Sequence, residues 1–223
     1  MLAREVIMYQ VKLYQIKFSI HSYWRAGTGR SGGALLDEEV HKDAYGLPCL
    51  PGRTVKGLLR RAVYRAEKWG LLNGNGGDAK TASLTQYWFG NAENHLENEA
   101  GTFSVSDAVL EKELRNYLIS LLTSQSTGAK KKGQTLCQGF FHQTYATAIE
   151  HQTGSAKYKS LRGMEVTIPL TLVAELSAHL DDDGWKKTLT NCLPLIRAVG
   201  TSCSRGLGRV TVTLEDTNAS ETI

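Results

Sequence analysis

The sequence predicts an α+β fold of the ferredoxin-like (RRM-like) type, a palm that carries large insertions. Alternating apolar residues, typical of half-buried strands, recur along the chain, and two other segments repeat apolar residues at helical spacing. Their order, strand, helix, strand, strand, helix, strand, is that of a split βαβ domain. Because the sequence contains no internal repeat and no separate linker, we expect its 223 residues to form a single domain.

The first predicted strand runs from Tyr9 to Ile20. Its alternation slips by one residue at Tyr14 and Gln15, which predicts a bulge within the strand. A glycine-rich and charged stretch follows, and we expect an acidic loop insertion at about 25–50. Loops of this length inside a compact domain are uncommon, and they are usually functional or disordered.

The first predicted helix covers residues 54–69 and follows a Pro-Gly turn. Its apolar face is formed by Val55, Leu58, Leu59, Ala62, Val63 and Ala66. Its basic residues fall elsewhere on the cylinder, at Arg53, Lys56, Arg60, Arg61, Arg65 and Lys68. The positive end of such a helix, with backbone N–H groups at a turn, suits a phosphate. A solvated amphipathic helix would show the same pattern, so the residues leave both interpretations open.

The remaining elements follow from shorter patterns. Residues 101–110 predict a strand, and 111–122 predict a helix or an extended segment. Residues 124–161 are polar without sustained periodicity, which predicts an insertion that projects as a loop or hairpin. Residues 164–178 predict one alternating strand, in which Pro169 indicates an edge or a bulge. A second helix is expected at 181–200, kinked or shortened by Pro194, and a glycine turn then leads into the last strand.

Composition and charge narrow the class of protein. The net charge of +4 is mild, so only local clustering of cations would support a polyanionic partner. The four cysteines are far apart and form no C-x-x-C pair, which argues against a zinc site and a disulfide framework. The sequence shows no signal peptide and no apolar run of membrane length. We therefore expect a cytoplasmic protein with no membrane partner.

Three groups of residues have side chains that suit an anion. In residues 204–210, Ser204 and Arg205 stand among glycines and would donate hydrogen bonds, although a plain glycine turn has the same composition. His21 and His41 border the glycine-rich stretch and would donate to phosphate, or they serve the structure. A lysine run at 130–132 would grip an RNA backbone or would simply face water.

The acidic residues Asp37, Glu38, Glu39 and Asp43 concentrate in the predicted loop insertion. A carboxylate there would hold a divalent metal or help to deprotonate a hydroxyl group. Exposed acids without a chemical role are the common alternative in a loop, and the residues by themselves do not decide between the two.

Four segments, in the right order, resemble the RAMP superfamily of CRISPR–Cas proteins. Residues 33–60 (GALLDEEVHKDAYGLPCLPGRTVKGLLR) are similar to the acidic loop, Pro-Gly turn and S/T-x-K-G helix start of the Csm/Cmr-type backbone subunits of type III effector complexes. YWFG and GTFSVSDAVL, within residues 87–110, resemble the L-F-G…G-x-(L)-x-F-x-D-A-x-L segment of those subunits. Residues 147–166 resemble their thumb hairpin and the strand after it, and 204–210 their glycine-rich loop.

The resemblance implies a palm with a thumb β-hairpin in an insertion at about 124–161, stacked in several copies along a guide RNA beside other effector subunits. It implies that the first helix and the glycine-rich loop contact the guide backbone. The thumb, roughly 133–161, would insert between bases of the guide–target duplex. The expected RNA-binding residues are His21, Arg53, Thr54, Lys56, Arg60, Lys130, Lys131, Lys132, Arg162, Ser204, Arg205, Gly206 and Gly208.

The resemblance also implies cleavage of the complementary target RNA at regular intervals. Asp37 stands where these subunits carry their catalytic aspartate, and it would position a divalent metal (Mg or Mn) or assist removal of the 2′ proton. Glu38 and Glu39 follow it directly and are candidates to share that role. The alternatives are a noncatalytic subunit of the same complex, a guide-precursor-processing endoribonuclease with a histidine-centred site, and an unrelated domain whose basic helix is only solvated.

Overall fold

The computed structural model describes residues 12–29, 39–72, 83–90, 100–180 and 183–216. In chain order its elements are β1 (Lys12–Ile20), α1 (Gly52–Lys68), α2 (Leu84–Phe89), β2 (Phe103–Val105), β3 (Val109–Leu110), α3 (Lys112–Thr123), α4 (Thr127–Gln138), β4 (Phe141–Ala146), β5 (Arg162–Thr167), β6 (Thr171–Ala178), α5 (Gly184–Cys192) and β7 (Val210–Asp216). Short 3₁₀ turns lie at Leu193–Leu195 and Cys203–Arg205.

The main sheet is antiparallel and has the strand order β2-β6-β1-β7, with β3 also paired to β6. This order places the first and third strands of the split βαβ pattern at the centre, as a ferredoxin-like palm requires. A second sheet consists of β4 and β5, which pair as an antiparallel hairpin. The predicted α+β fold with a hairpin insertion is confirmed.

Strand β1 is regular along its described length. Its buried side chains, Tyr14, Ile16, Phe18 and Ile20, alternate without a slip, and its register with β6 is continuous from Lys12 to Ser19. The predicted bulge at Tyr14 and Gln15 is therefore wrong. Leu13 suggested the other phase, but it lies on the opposite face and is half exposed, so Tyr14 begins the core row.

The helices cover one face of the main sheet and close the core. Helix α1 buries Val55, Leu59, Ala62, Val63 and Ala66, close to the predicted apolar face. Trp185 of α5 packs edge-on against Tyr14 (ring centroids 4.9 Å apart) and Phe103 (5.1 Å). The α-helical part of the second helix ends at Cys192, and Pro194 lies in the 3₁₀ turn that follows, so the shortening by proline is confirmed.

The predicted strand at 164–178 is two strands in two sheets. Ile168 N–H donates to the Phe140 carbonyl on the hairpin side, whereas Ile20 N–H of β1 donates to the Leu170 carbonyl. The chain therefore changes sheets around Pro169, which has no N–H to continue a ladder. The sequence pattern did not reveal this change because apolar residues alternate across the whole segment, from Val166 to Leu176, although only β6 buries alternate residues.

The first part of the segment at 124–161 is the helix α4, so the expectation of a loop or hairpin throughout is wrong. Gly133 and Cys137 are buried on α4 and Ala129 is half-buried, so its packing face consists of small side chains. A Cβ at Gly133 would lie 3.0 Å from the Leu121 Cβ, which shows how closely α3 and α4 approach. Small residues produce little hydrophobic periodicity, which hid this helix.

Within the described residues, no helix combines the length and the apolar character that crossing a membrane requires.

Candidate nucleic-acid interface

Residues 21–27 form a ribbon between the glycine-rich loop and the β4–β5 hairpin. On one side, Trp24 exchanges backbone hydrogen bonds with Thr167 of β5 at 3.0 and 2.7 Å. On the other side, Gly208 N–H donates to the Tyr23 carbonyl at 2.7 Å, and Thr201 N–H donates to the Arg25 carbonyl at 2.9 Å. The ribbon therefore fixes the glycine-rich loop relative to the hairpin.

The glycine-rich loop closes on itself at Gly208. Val199 N–H donates to the Gly208 carbonyl at 2.9 Å, and Gly208 has φ +71°. A Cβ at Gly208 would collide with the Val199 carbonyl oxygen, so this position requires glycine for a structural reason. Ser22, which we did not predict, completes the closure, because its Oγ donates to the Gly206 carbonyl and accepts from Arg209 N–H.

A groove of about 520 Å³ lies where the ribbon, the turn into α1 and the glycine-rich loop meet. We call it the central groove. It is lined by Ala26, Gly27, Thr28, His41, Lys42, Pro51, Arg53, Thr54, Gly200 and Thr201. Two cations and three threonine hydroxyls face it, and no acidic side chain lines it among the described residues. This lining favours an anionic ligand that accepts hydrogen bonds.

The two cations of the central groove differ in their partners. Lys42 Nζ lies 2.9 Å from Glu165 Oε1 and 4.2 Å from the centre of the Phe141 ring. Arg53 is exposed and forms no ion pair with a described residue. Arg25 lies beneath the groove, where its Nε donates to Thr201 Oγ1 at 2.9 Å and burial lowers its pKa. Arg53 is therefore the cation best placed to meet a ligand.

The N-terminus of α1 is already capped by a side chain from another segment. Asp107 Oδ1 accepts the Gly52 N–H at 2.6 Å, while Thr54 N–H and Val55 N–H both donate to the Pro51 carbonyl. The predicted cradle of free backbone N–H groups is thus largely occupied. An anion in the central groove would meet side chains, chiefly those of Arg53 and Thr54. Asp107 belongs to the GTFSVSDAVL segment, but its sequence does not reveal that it caps a helix.

The structure separates the predicted basic residues of α1 into two flanks. At 100° per residue, Lys56 and Arg60 share the flank of Glu67, whose carboxylate accepts hydrogen bonds from Ser83 and Thr85 at the start of α2. They therefore lie toward α2 and do not line the central groove. Arg61 and Arg65, which were not predicted to bind RNA, share the flank of Thr54 and face the glycine-rich loop.

None of the other predicted residues lines the central groove. His21 is exposed, and its Nε2 lies 2.8 Å from Thr211 Oγ1. Ser204, Arg205 and Gly206 form the exposed tip of the glycine-rich loop, and Arg162 is exposed at the start of β5. The exposed cations of α4 lie on a helix that packs against α3, and none of them lines the central groove. These cations are Lys130, Lys131 and Lys132.

Asp37 and Glu38 lie outside the described residues. The described residues stop at Gly29 and resume at Glu39. Thr28 N–H donates a hydrogen bond to the Glu39 carbonyl at 3.4 Å. Thr28 and His41 both line the central groove, so the segment between them begins and ends at its rim. Within the described ranges, no cluster of three or more His, Cys, Asp or Glu side chains could hold a metal ion.

Asp43, the fourth acid of the predicted loop, has a structural role. Its Oδ1 accepts the backbone N–H groups of Tyr45 (2.8 Å) and Leu47 (2.9 Å). Its Oδ2 lies 3.0 Å from Arg115 Nη2 of α3. With its carboxylate committed to these three partners, Asp43 shapes the turn that leads to α1.

The end of β4 and the segment beyond it expose large apolar side chains to solvent. Tyr158 is 86% exposed, and Tyr145, Ile149 and Leu161 are each more than half exposed. A bridge between Ile149 and Ala156 closes a small hairpin at this tip. Exposed aromatic side chains on a projecting hairpin suit stacking against bases.

Comparison with known proteins identifies the family. The sequence model of the RAMP superfamily matches residues 17–211. No curated protein sequence matches the chain.

Chains in two solved structures are among those that share the fold. One is a chain in the cryo-EM structure of the type III-B Cmr-beta bound to cognate target RNA, with a TM-score of 0.66 and 12% identity over 92% of this chain and 98% of that chain. The other is a chain in the apo state of type III-B Cmr-beta, with a TM-score of 0.60 and 11% identity over 91% and 97%. Since the family match spans most of the sequence, the protein belongs to the RAMP superfamily.

Proposed function

We propose that the chain is an RNA-binding backbone subunit of a type III CRISPR effector complex. The observation that carries the proposal is the central groove, in which the Pro-Gly turn into α1 and the closed glycine-rich loop present Arg53, Thr54 and Thr201, with no acidic side chain among the described residues that line it. Family membership and the fold shared with chains of the type III-B Cmr-beta structures support it. Guide RNA would lie in the groove, with target RNA paired to it.

Its other partners would be further copies of the same chain and other subunits of the effector complex. The exposed β4–β5 hairpin supports this arrangement, because its apolar tip requires a surface to cover it or bases to stack on. Inserted into the guide–target duplex, the hairpin would push a nucleotide out of the stack at each copy.

We further propose that the subunit cuts the target RNA at the displaced nucleotide, by means of Asp37. Displacement would align the 2′-OH with the adjacent phosphate. The 2′ oxygen would bond to phosphorus and the P–O5′ bond would break, leaving a 2′,3′-cyclic phosphate and a 5′-OH. Asp37 would take the 2′ proton, and a proton would pass to the leaving O5′. In the sequence, Asp37 stands two positions before Glu39, and His41, two positions after Glu39, lines the central groove.

A divalent cation, Mg or Mn, is part of this expectation, since it would neutralise charge on the phosphate. Because the described residues offer no cluster for a metal, Asp37 and its neighbours would have to supply the ligands. Glu38 and Glu39 are the nearest further carboxylates in the sequence.

The test is target cleavage by the assembled complex carrying Asp37→Ala. We expect cutting at regular intervals to stop while guide and target RNA stay bound. Glu38→Gln and Glu39→Gln in separate complexes would show whether a neighbour shares the role. Unchanged cutting with Asp37→Ala would overturn the catalytic claim and leave the binding claim standing, as a noncatalytic subunit would require.

One observation favours a second candidate, a guide-precursor-processing endoribonuclease. His41 lines the central groove and is the kind of general acid–base group that such an enzyme uses. Incubating the purified chain alone with a repeat-containing precursor RNA separates the two functions. Cleavage that His41→Ala abolishes would favour processing over our proposal.

A further inference from the structure

A second groove, of about 200 Å³, runs along α1 beyond the central groove. We call it the arginine groove. Arg61 and Arg65 of α1 line one wall, and Arg197, which follows the 3₁₀ turn after α5, lines the other. Its remaining lining is Leu58, Ala62, Leu195, Ile196, Ala198 and Cys203. All three arginines are exposed, while Ala62 and Ile196 are buried beneath them.

The charge of the arginine groove is uncompensated within the described part of the chain. No acidic side chain lines it, and none of Arg61, Arg65 and Arg197 forms an ion pair with a described residue. Arg61 and Arg65 stand four residues apart on one helix face, where like charges destabilise a helix slightly. An arrangement that repels itself when empty becomes favourable when an anion occupies it.

The wall that carries Arg197 is held firmly. Val210 N–H of β7 donates to the Arg197 carbonyl at 3.2 Å, and Ala198 forms a bridge with Arg209. The backbone at Arg197 is therefore held in place by these hydrogen bonds, and its side chain lies across the groove from helix α1. Guanidinium groups set on two rigid walls suit phosphate oxygens, which they bind through paired N–H donors.

The two grooves lie along the same flank of α1. Thr54 lines the central groove, and Leu58, Arg61 and Arg65 follow on the same flank of α1. On the facing wall, Thr201 lines the central groove and residues 195–198 line the arginine groove. From Thr54 to Arg65 the helix rises about 16 Å at 1.5 Å per residue. At the rise of about 3.4 Å per nucleotide of a B-DNA strand, this flank would match roughly five nucleotides, and a more compact A-form RNA strand would place slightly more there.

We propose that the arginine groove is a second phosphate-binding site, which continues the path of the RNA strand from the central groove along α1. The inference rests on the proposed RNA-binding function and names the route of the strand. Sugar rings would lie over the apolar floor, and phosphates would meet Arg61, Arg65 and Arg197. An acidic segment of a neighbouring protein copy is the competing occupant, and the experiment below distinguishes it.

The test compares two variants of the full-length chain that lose the same charge. One is Arg61→Gln with Arg65→Gln. The control is Lys112→Gln with Lys187→Gln, which removes two exposed lysines from the starts of α3 and α5. Binding of a 15-nucleotide single-stranded RNA is measured from low to high salt. The groove variant should flatten the log–log salt slope by roughly 1.4, at about 0.7 per lost phosphate contact, and the control should not change it.

Two further measurements make the outcome decisive. Arg61→Lys with Arg65→Lys should keep most of the slope, because the charge remains. Cys203 lines the groove and is exposed, so bound RNA should slow its alkylation in the wild-type chain. A slope that stays the same in the Gln variant, with no protection of Cys203, would overturn the inference while RNA binding by the wild type preserves the proposed function.

If the wild-type chain shows no salt-dependent RNA binding, the proposed function itself fails. If RNA binding survives the groove variant but association between copies of the chain is lost, the groove receives protein and our assignment of its occupant is wrong.

Discussion

Glu165 of β5 holds the Lys42 ammonium group at 2.9 Å, and this contact joins the hairpin to the chain that lines the central groove. The second oxygen of Glu165 accepts the Val40 N–H at 3.2 Å. Only 9% of Glu165 is exposed, and the Lys42 ammonium also lies over the Phe141 ring. This buried carboxylate therefore adds a side-chain link between the hairpin and the groove to the backbone hydrogen bonds of Trp24 and Thr167.

Glu165→Ala should destabilise the protein by about 1–3 kcal/mol, because it leaves the Val40 N–H without its acceptor and Lys42 without its counter-ion. Glu165→Gln keeps an acceptor for Val40 and loses only the ion pair. Since Lys42 is partly exposed, that pair is worth about 1 kcal/mol or less. Urea unfolding of the three proteins checks this order, and equal stability of Glu165→Ala and wild type would show that the contact contributes nothing.

Asp107→Ala should cost about 1 kcal/mol by removing the cap of α1. Asp107→Asn should retain most of that stability because its amide oxygen still accepts the Gly52 N–H. Glu111→Gln is the matched control, since Glu111 forms only a surface ion pair with Lys17 at 3.0 Å. Thermal unfolding measures all three, and an Asp107→Ala protein as stable as the Glu111→Gln protein would contradict the capping role.

Gly208→Ala should be far more damaging than Gly206→Ala, although both glycines have positive φ and stand two residues apart. Gly206 has φ +88° with open space around its Cα, so alanine there costs about 1–2 kcal/mol of backbone strain. At Gly208 alanine adds a collision with the Val199 carbonyl, which only a backbone shift relieves. Equal losses in unfolding free energy for the two variants would mean that the loop is not closed as described.

The four cysteines should differ sharply in reactivity. Cys203 is exposed, whereas Cys49, Cys137 and Cys192 are buried. Burial raises the pKa of Cys49 to about 12 and that of Cys192 to about 11. In the folded protein at pH 8, a thiol reagent should therefore modify one equivalent rapidly, and all four in denaturant. Rapid modification of two or more thiols in the folded state would contradict the packing.

The same pKa shifts predict loss of stability in alkali. In the folded protein, the pKa values of the Cys49 and Cys192 thiols lie above the ordinary thiol value of 9.0. As the pH rises, the unfolded chain therefore loses these two thiol protons before the folded chain does. The stabilising contribution is complete below about pH 9 and falls as the pH rises toward 11–12. Urea midpoints between pH 8 and 10 should decline less steeply for Cys192→Ala than for wild type, while Cys203→Ser should follow wild type.

Local patterns were enough to predict most elements of the palm. Alternation placed β1, β6 and β7, and helical spacing placed α1, because each pattern records which residues of one element are buried. Helical spacing of apolar residues did not predict helix α4, because small residues such as Gly133 form its packing face. The bulge predicted at Tyr14 was wrong because an exposed leucine, Leu13, imitated a core position.

The sequence by itself determined the order of the strands and helices of the palm, the turn into α1 and the family to which the chain belongs. Only the tertiary structure decided which cations share a groove. Arg60 and Arg61 are neighbours in sequence, yet they lie on different flanks of α1, one toward α2 and the other toward the glycine-rich loop. The helical pattern in the sequence shows which residues of α1 are buried and which are exposed. It does not show which flank faces the glycine-rich loop, because that contact depends on packing between parts of the chain more than 100 residues apart.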